Sequence, residues 1–306
     1  MKILSTFVRR TKHLFEDPEY MLGKLICRII PNRYIPDKLY LKVLFRGSMG
    51  YKLDLRHPKT FNEKLQWLKL YDRNPLYTTL VDKYRVKQWV ADKIGEEYVI
   101  PTLAVYQSAD EIDLDKLPNQ FVLKCNHDSG SVIICRDKTN FDLEAAKVKL
   151  QKGLNRNYYY CWRELPYKSV PRRIIVEKYF EDEDGELRDY KFFCFDGFAH
   201  SVMLCYDRAS GDPKFYFFDR DWHLLRLNKR GKNAPEDFSV PPPDGVRKMF
   251  DIADHLSKGF PFVRVDFYNI KGKIYFGEFT FYPATGMDPN LLPETDKLFG
   301  ELIKLQ

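Results

Sequence analysis

The chain has 306 residues, 44% hydrophobic and 15% aromatic, which is enough for two or three packed cores and excludes a disordered chain. Fifty Lys and Arg against 43 Asp and Glu leave +7, an excess that suits an anionic partner without choosing among nucleotide, acidic glycan, nucleic acid and anionic lipid. No run approaches the roughly 20 apolar residues that span a bilayer, the start lacks a signal-type apolar core, and six cysteines without CxxC spacing read as buried thiols of a cytoplasmic protein.

Residues 1–48 carry MKILSTFVRRTKHLF and MLGKLICRIIPNRYIPDKLYLKVLFRG, short amphipathic segments with Lys and Arg on one side, broken at Pro31 and Pro36. Two readings of this basic start stand open: a helical cap packed on the next domain, and a face lying on an anionic membrane surface. Thr60 and Glu63 form a capping box that opens a helix bearing Leu65, Trp67, Leu68 and Leu70. The spacing of Leu80, Tyr84, Trp89, Val90 and Ile94 predicts one helix over 80–95, with Lys83 early in it, followed by the strand YVIPTLAVY.

Residues 121–135, FVLKCNHDSGSVIIC, read as strand, small polar loop, strand. Lys124 in a core-bound strand must find an anion or snorkel. The adjoining loop with Ser129 and Gly130 either lays backbone N–H groups over phosphates or is a plain hairpin turn. His127 reads as a substrate ligand, a general base or a loop histidine with local hydrogen bonds. Residues 139–165 look helical, with Tyr158, Tyr159, Tyr160 and Trp162 as packing residues. RRIIVEKYF is a strand ending in Glu177 and Lys178, EDEDGE a solvated hairpin tip, and DYKFFCFDG a strand holding Asp189 and Lys191 on one face. HSVMLCY and KFYFFD follow as strands, 228–245 as a Pro- and Gly-rich loop, and 246–259 as a helix.

The last third centres on a hairpin, VRVDFYNIKGKIYFGEFTFYPATGMDP, with its turn at 269–272. Val263, Val265 and Phe267 alternate with Arg264, Asp266 and Tyr268, and Ile274 and Phe276 with Tyr275 and Gly277. Neighbouring strands set Asp266 beside Glu278. Two close carboxylates keep their charge only with a cation between them, so the pair favours Mg²⁺. Arg264, two residues from Asp266, suits charge on a transferring phosphoryl group. An ordinary half-exposed hairpin would show the same alternation.

In order, Lys83, Lys124 with its loop, Glu177 and Lys178, and the Arg264, Asp266, Glu278 hairpin resemble the ATP-grasp ligases. The phrases KTFNEKLQWLKLYDRNPLYTTLVDKY, FVLKCNHDSG, DYKFFCFDG and GEFTFYPATGM resemble the TupA-like ATP-grasp family of polysaccharide biosynthesis over nearly the whole chain. The resemblance implies an α+β ATP-grasp fold, two α+β subdomains clasping ATP, with an N-terminal helical extension. Residues 1–78 would be the basic cap, 79–120 a linking helix and strand, 121–180 the small lid subdomain and 181–306 the subdomain with the metal site. ATP and Mg²⁺ would be the cofactors. Lys83 and Lys124 would hold phosphates beneath Ser129 and Gly130. Glu177 and Lys178 would meet the adenine edge, Tyr179 and Phe180 would wall the ring, Asp189 would reach the ribose, and Lys191 would be a further phosphate ligand. Asp266 and Glu278 would bind Mg²⁺, and Arg264 with Lys124 would offset charge on an acyl phosphate. The family generally places Asn two residues after the second metal carboxylate; here that position is Thr280, which ligates only through a hydroxyl.

The activity so implied joins an amino acid or other amine to the carboxylate of a uronic acid in an acidic capsular or cell-surface glycan, in the cytoplasm or at the inner face of the membrane, with no nucleic-acid partner. Water must be kept out, so residues 126–131 are expected to act as a lid. The rival readings are a glycosyltransferase, with the acid pair holding a metal on a nucleotide sugar's diphosphate, and a non-catalytic protein that kept the fold. A transferase does not need Lys83, Lys124 and Glu177 to converge on the hairpin.

Overall fold

A computed structural model describes residues 18–181, 187–207 and 210–305. The start MKILSTFVRRTKHLF and most of the EDEDGE turn lie outside the described residues. Helices α1 (Pro18–Ile29) and α2 (Asp37–Met49) are separated where Pro31 and Pro36 stand just ahead of a 3₁₀ turn and of α2. Thr60 and Glu63 close the expected capping box on α3 (Phe61–Tyr71). The helix expected over 80–95 is instead two, α4 (Leu76–Val81) and α5 (Arg85–Ile94). Asp82 breaks it, because its carboxylate accepts from the backbone N–H of Tyr84 (2.9 Å) and Arg85 (3.3 Å) and from the Asn126 amide (2.7 Å). Lys83 therefore sits in the break, with its own N–H donating to Asn126 O.

The smaller sheet is antiparallel, order β1-β4-β2-β3, from β1 (Thr102–Tyr106), β2 (Phe121–Cys125), β3 (Ile133–Cys135) and β4 (Ile174–Lys178). β1 pairs with β4, so this sheet begins within residues 79–120 and not at 121. Its apolar face, Phe121, Leu123, Cys125, Ile174 and Val176, packs with Leu150 and Leu154 of α6 (Leu143–Asn155). After α7 (Tyr159–Trp162), the buried Arg163 reaches Asp37 (2.9 Å) and Ile35 O (3.1 Å), tying the N-terminal helices to the body.

The larger sheet, order β10-β9-β5-β6-β7-β8, is antiparallel throughout: β5 (Asp189–Phe195), β6 (Phe198–Tyr206), β7 (Lys214–Phe218), β8 (Leu224–Leu225), β9 (Phe262–Ile270) and β10 (Lys273–Thr280). The stretch expected as a loop over 228–245 contains one short helix, α8 (Lys229–Lys232). α9 (Val246–Ser257) covers one face through Phe250 against Phe192, ring centroids 4.8 Å apart. On the other face Phe193, Phe195 and Phe262 meet Phe61 of α3 and Phe299 of α10 (Pro293–Leu302). That aromatic packing ends along the strands where Lys191, Arg264 and Asp266 begin.

Four of the six free cysteines are buried, one each in β2, β3, β5 and β6; Cys27 and Cys161 are partly exposed. Among the described residues no helix is long and apolar enough to cross a membrane.

Candidate active site

The hairpin turns on Lys271 and Gly272, both at positive φ (51° and 76°), the two-residue turn that matches strand twist. Strict alternation would send Glu278 to the same side as Ile274 and Phe276, into the core. A bulge at Gly277 corrects this: Phe276 pairs with Phe267, the extra residue intervenes, and Glu278 then pairs with Asp266 and Thr280 with Arg264. A side chain at Gly277 would crowd Asp266 O at 3.1 Å and the Tyr268 ring at 3.3 Å. On the other flank Lys191 of β5 is the register partner of Asp266. Three adjacent strands thus set Lys191, Asp266 and Glu278 in one row.

The row is joined by short ionic contacts. Arg264 Nε and Nη2 grip Asp266 Oδ1 and Oδ2 at 2.7 Å each, and Nη2 also donates to Thr280 Oγ1 at 3.0 Å. Lys191 Nζ lies 2.7 Å from Asp266 Oδ2 and 3.4 Å from Asp189. Lys83 Nζ crosses from the α4–α5 break to Glu278 Oε2 at 3.3 Å and donates to Asp128 O at 3.0 Å. Burial pushes the Glu278 carboxyl up, but the Lys83, Arg264, Lys191 and Lys124 cations outweigh it and hold it at about 2.

A second cluster faces the row from the smaller sheet. Glu177 Oε1 takes Lys87 Nζ at 2.7 Å and Oε2 takes Lys124 Nζ at 2.5 Å. Burial raises the Glu177 carboxyl, and Lys124 and Lys87 more than reverse it, so it too lies below its ordinary range. Lys87, in α5 and four residues beyond Lys83, joins the cations expected from the sequence. Lys83 links the two clusters: its backbone N–H donates to Asn126 O, two residues beyond Lys124, while its Nζ reaches Glu278. At the rim, Phe180 packs against Tyr275 of the hairpin with tilted rings (centroids 4.7 Å apart), in an apolar patch with Ile100, Ile270 and Tyr268.

Lys178 and Tyr179 lie apart from this row, whereas Asp189 borders it. The Lys178 side chain is exposed over the Phe180 ring (5.3 Å). Tyr179 points the other way, to Glu181 (2.6 Å) and Arg136, as successive side chains at a strand end must. Asp189 is buried beside Lys191. The expected lid is mostly anchored: Asn126 bonds Asp82, Pro171 O and Arg173 N, His127 is buried against Arg156 O (3.1 Å), and Asp128 accepts from Ser131 (2.5 Å). Only Ser129 and Gly130 are exposed, with Ser129 Oγ 3.1 Å from Tyr158 OH.

A third group escaped sequence reading. Asn62, Gln66 and Lys69 of α3 follow i, i+4, i+7 spacing and are all buried. Asn62 accepts from Asp288 N (2.8 Å), Gln66 donates to Gly286 O (2.6 Å) and Lys69 to Thr285 O (2.6 Å). Together they hold the turn after β10, where Ala284 and Thr285 both have positive φ (47° and 55°). The signal was present: three polar residues on the helix face that should be apolar. Behind this turn the buried Glu164 is raised to about 7 by burial, against the pull of Lys69.

The donor set suits a hard dication, since Asp266, Glu278 and Thr280 offer only oxygen. Among the described residues no group of three or more Asp, Glu, His or Cys could hold a metal, so Asp266 and Glu278 would hold Mg²⁺ with other ligands from water or substrate.

Depressed acids carry a pH signature. Glu278 lies below its ordinary 4.5, so its ionised form contributes stability that is present above 4.5 and lost as pH falls through about 2. Thermal melts of the protein and of Glu278→Gln should stay a constant interval apart from pH 7 to about pH 5 and converge in stronger acid. A gap that closed between pH 7 and 5 would assign the effect to a different group.

Two antiparallel-sheet subdomains meeting over a cleft, with lysines from one side and an acid pair from the other, are the ATP-grasp arrangement. The family model described as TupA-like ATPgrasp matches residues 63–304, and the chain belongs to that family. No curated protein matches it. Among solved structures it is similar to the D-alanine–D-alanine ligase of Bacillus anthracis complexed with ATP (16% identity, TM-score 0.41, 73% of this chain and 62% of that one). It is similar also to the Helicobacter pylori D-alanine–D-alanine ligase (13%, TM-score 0.41, 80% and 69%) and to the D-cycloserine synthetase DcsG (17%, TM-score 0.39, 74% and 70%). The chain thus spans 62% of the length of the Bacillus anthracis ligase.

Proposed function

We propose that the protein is an ATP-dependent carboxylate–amine ligase. The observation that carries this reading is the meeting of Lys83, Lys191 and Arg264 with Asp266 and Glu278, from separate elements, on one cleft. A carboxylate oxygen of the first substrate attacks the γ-phosphorus of ATP, the bond to the β-phosphate oxygen breaks, and ADP leaves. An amine then attacks the acyl phosphate carbon, the bond to phosphate breaks, and the amine's proton leaves with the phosphate. Lys83, Lys124 and Lys191 would bind phosphoryl oxygens once drawn from their carboxylates, and Arg264 would orient the acceptor carboxylate. Bound Mg²⁺ would supply charge neutralisation at the transferring phosphoryl group. The chain's own cations hold the same group in line and its apolar rim at Phe180 and Tyr275 keeps water from the base side.

For substrate class we propose a uronic acid of a cell-surface glycan and an amino acid. This rests on a cavity of about 800 Å³ that opens beside Lys191 and Arg264 and is lined further out by Phe215, Tyr216, Lys229 and Asn290. Aromatic faces with a cation suit an anionic sugar. ATP as substrate and free thiols fit a reducing compartment. The test is release of ADP and phosphate with paired uronic-acid glycans and amino acids. Turnover is expected only when both are present; UDP release from a UDP-sugar, with none of ADP, would replace this reading with the glycosyltransferase.

A further inference from the structure

The described chain has 13 exposed large hydrophobic residues, and five of them, Leu22, Leu25, Ile29, Ile30 and Tyr34, fall within α1 and the turn after it. Leu22, Leu25 and Ile29 follow i, i+3, i+7 spacing, so they form one outward stripe, with exposures of 60%, 53% and 70%. The opposite side of α1 is fixed to α2 at Gly23, where any side chain would meet Val43 Cγ2 at 2.5 Å. The stripe is therefore not a face that α2 fills. A single exposed leucine needs no explanation, but a contiguous patch does.

Charge decides what covers it. Between residues 18 and 53 the sequence has seven Lys and Arg against two acids, most of the chain's +7. Lys24, Arg28 and Arg33 are exposed among the apolar residues, and one of the two acids, Asp37, is already held by Arg163. Beside them a groove of about 520 Å³ between α1 and α2 has Leu22, Ile26, Leu39 and Val43 in its lining and the exposed Lys42 beside them. A second copy of the chain would bring like charges together across a twofold contact. Residues 1–17 carry Lys2, Arg9, Arg10 and Lys12 against Glu16 and Asp17, so the sequence ahead of α1 adds two further net positive charges.

We propose that α1 and its groove dock the protein on an anionic lipid surface, with Leu22, Leu25 and Ile29 entering the headgroup–acyl boundary and Lys24, Arg28 and Arg33 meeting lipid phosphates. Binding in this mode scales with buried apolar area plus attraction to anionic lipid. It is independent of the ligase reading, because no residue of the cleft takes part. The full chain, without nucleotide, is sedimented with vesicles of phosphatidylglycerol and phosphatidylcholine and with vesicles of phosphatidylcholine alone. Binding is expected to the first only, weakened by salt, and reduced at least about 10-fold both in Lys24→Glu/Arg28→Glu and in Leu25→Ser/Ile29→Ser. Near-native melting of both variants separates lost docking from lost folding. Unchanged binding by either folded variant overturns the proposal, as does failure of the native chain to bind. A concentration-dependent dimer that Leu25→Ser/Ile29→Ser dissociates, with no vesicle binding, would assign the face to a second copy.

Discussion

Glu278→Gln is expected to abolish Mg²⁺-dependent ADP formation while leaving the fold nearly intact. Of the two paired acids it is the cleaner probe. Asp266 is 3% exposed and takes three short contacts from Arg264 and Lys191, so its removal strands two buried cations. The Glu278 side chain is 36% exposed, its Lys83 contact lies at the longer distance of 3.3 Å, and glutamine keeps its shape. What is lost is the charge facing the cleft. A group that neutralises or holds charge at the reacting centre contributes about 10²–10³ in rate, and a lost metal ligand should do at least as much. The measurement is ADP formed against Mg²⁺ concentration, beside a melt that stays within a few degrees of native at pH 7. Normal turnover in the variant would remove the acid pair from the mechanism.

The sequence carried the elements of this cleft but not their aim. Strands β2, β4, β5, β9 and β10 were legible because apolar alternation is a direct consequence of a sheet with one buried face. The orientation of Glu278 was not, because one residue of slip reverses every side chain beyond it, and Gly277 signals only that slip is allowed, not that it occurs. Apolar spacing runs unbroken from Leu80 to Ile94 and so predicts a helix through Lys83. The Asp82 carboxylate ends α4 by accepting from Tyr84 and Arg85 N–H, and it is held there by the amide of Asn126, 44 positions away, which no local window contains. The same holds for Lys87: its meaning comes from Glu177, 90 positions away and brought close only by β4. Fold class follows from local chemistry, whereas a site made of long-range ion pairs is written in the tertiary contacts.

The Glu177 triad leads to the second large effect. Glu177→Gln should destabilise the nucleotide-free protein by about 3–5 kcal/mol, since it leaves Lys87 and Lys124, each about 15% exposed, facing one another without a counter-ion. Burial already lowers the Lys87 pKa despite the Glu177 charge, so the variant lysine is driven further toward its neutral form. If the lysines are phosphate ligands, a triphosphate supplies the missing negative charge, and stabilisation by ATP in denaturant melts should be greater in the variant than in the native chain, because no carboxylate competes for Lys124. If Glu177 instead serves the adenine edge, the variant loses an acceptor and ATP should stabilise it less. The two outcomes have opposite sign, so one set of melts with and without ATP decides between them. The geometry favours the first: both Glu177 oxygens are within 2.7 Å of a lysine, and the carboxylate is 5% exposed, which leaves it no free edge to offer a base.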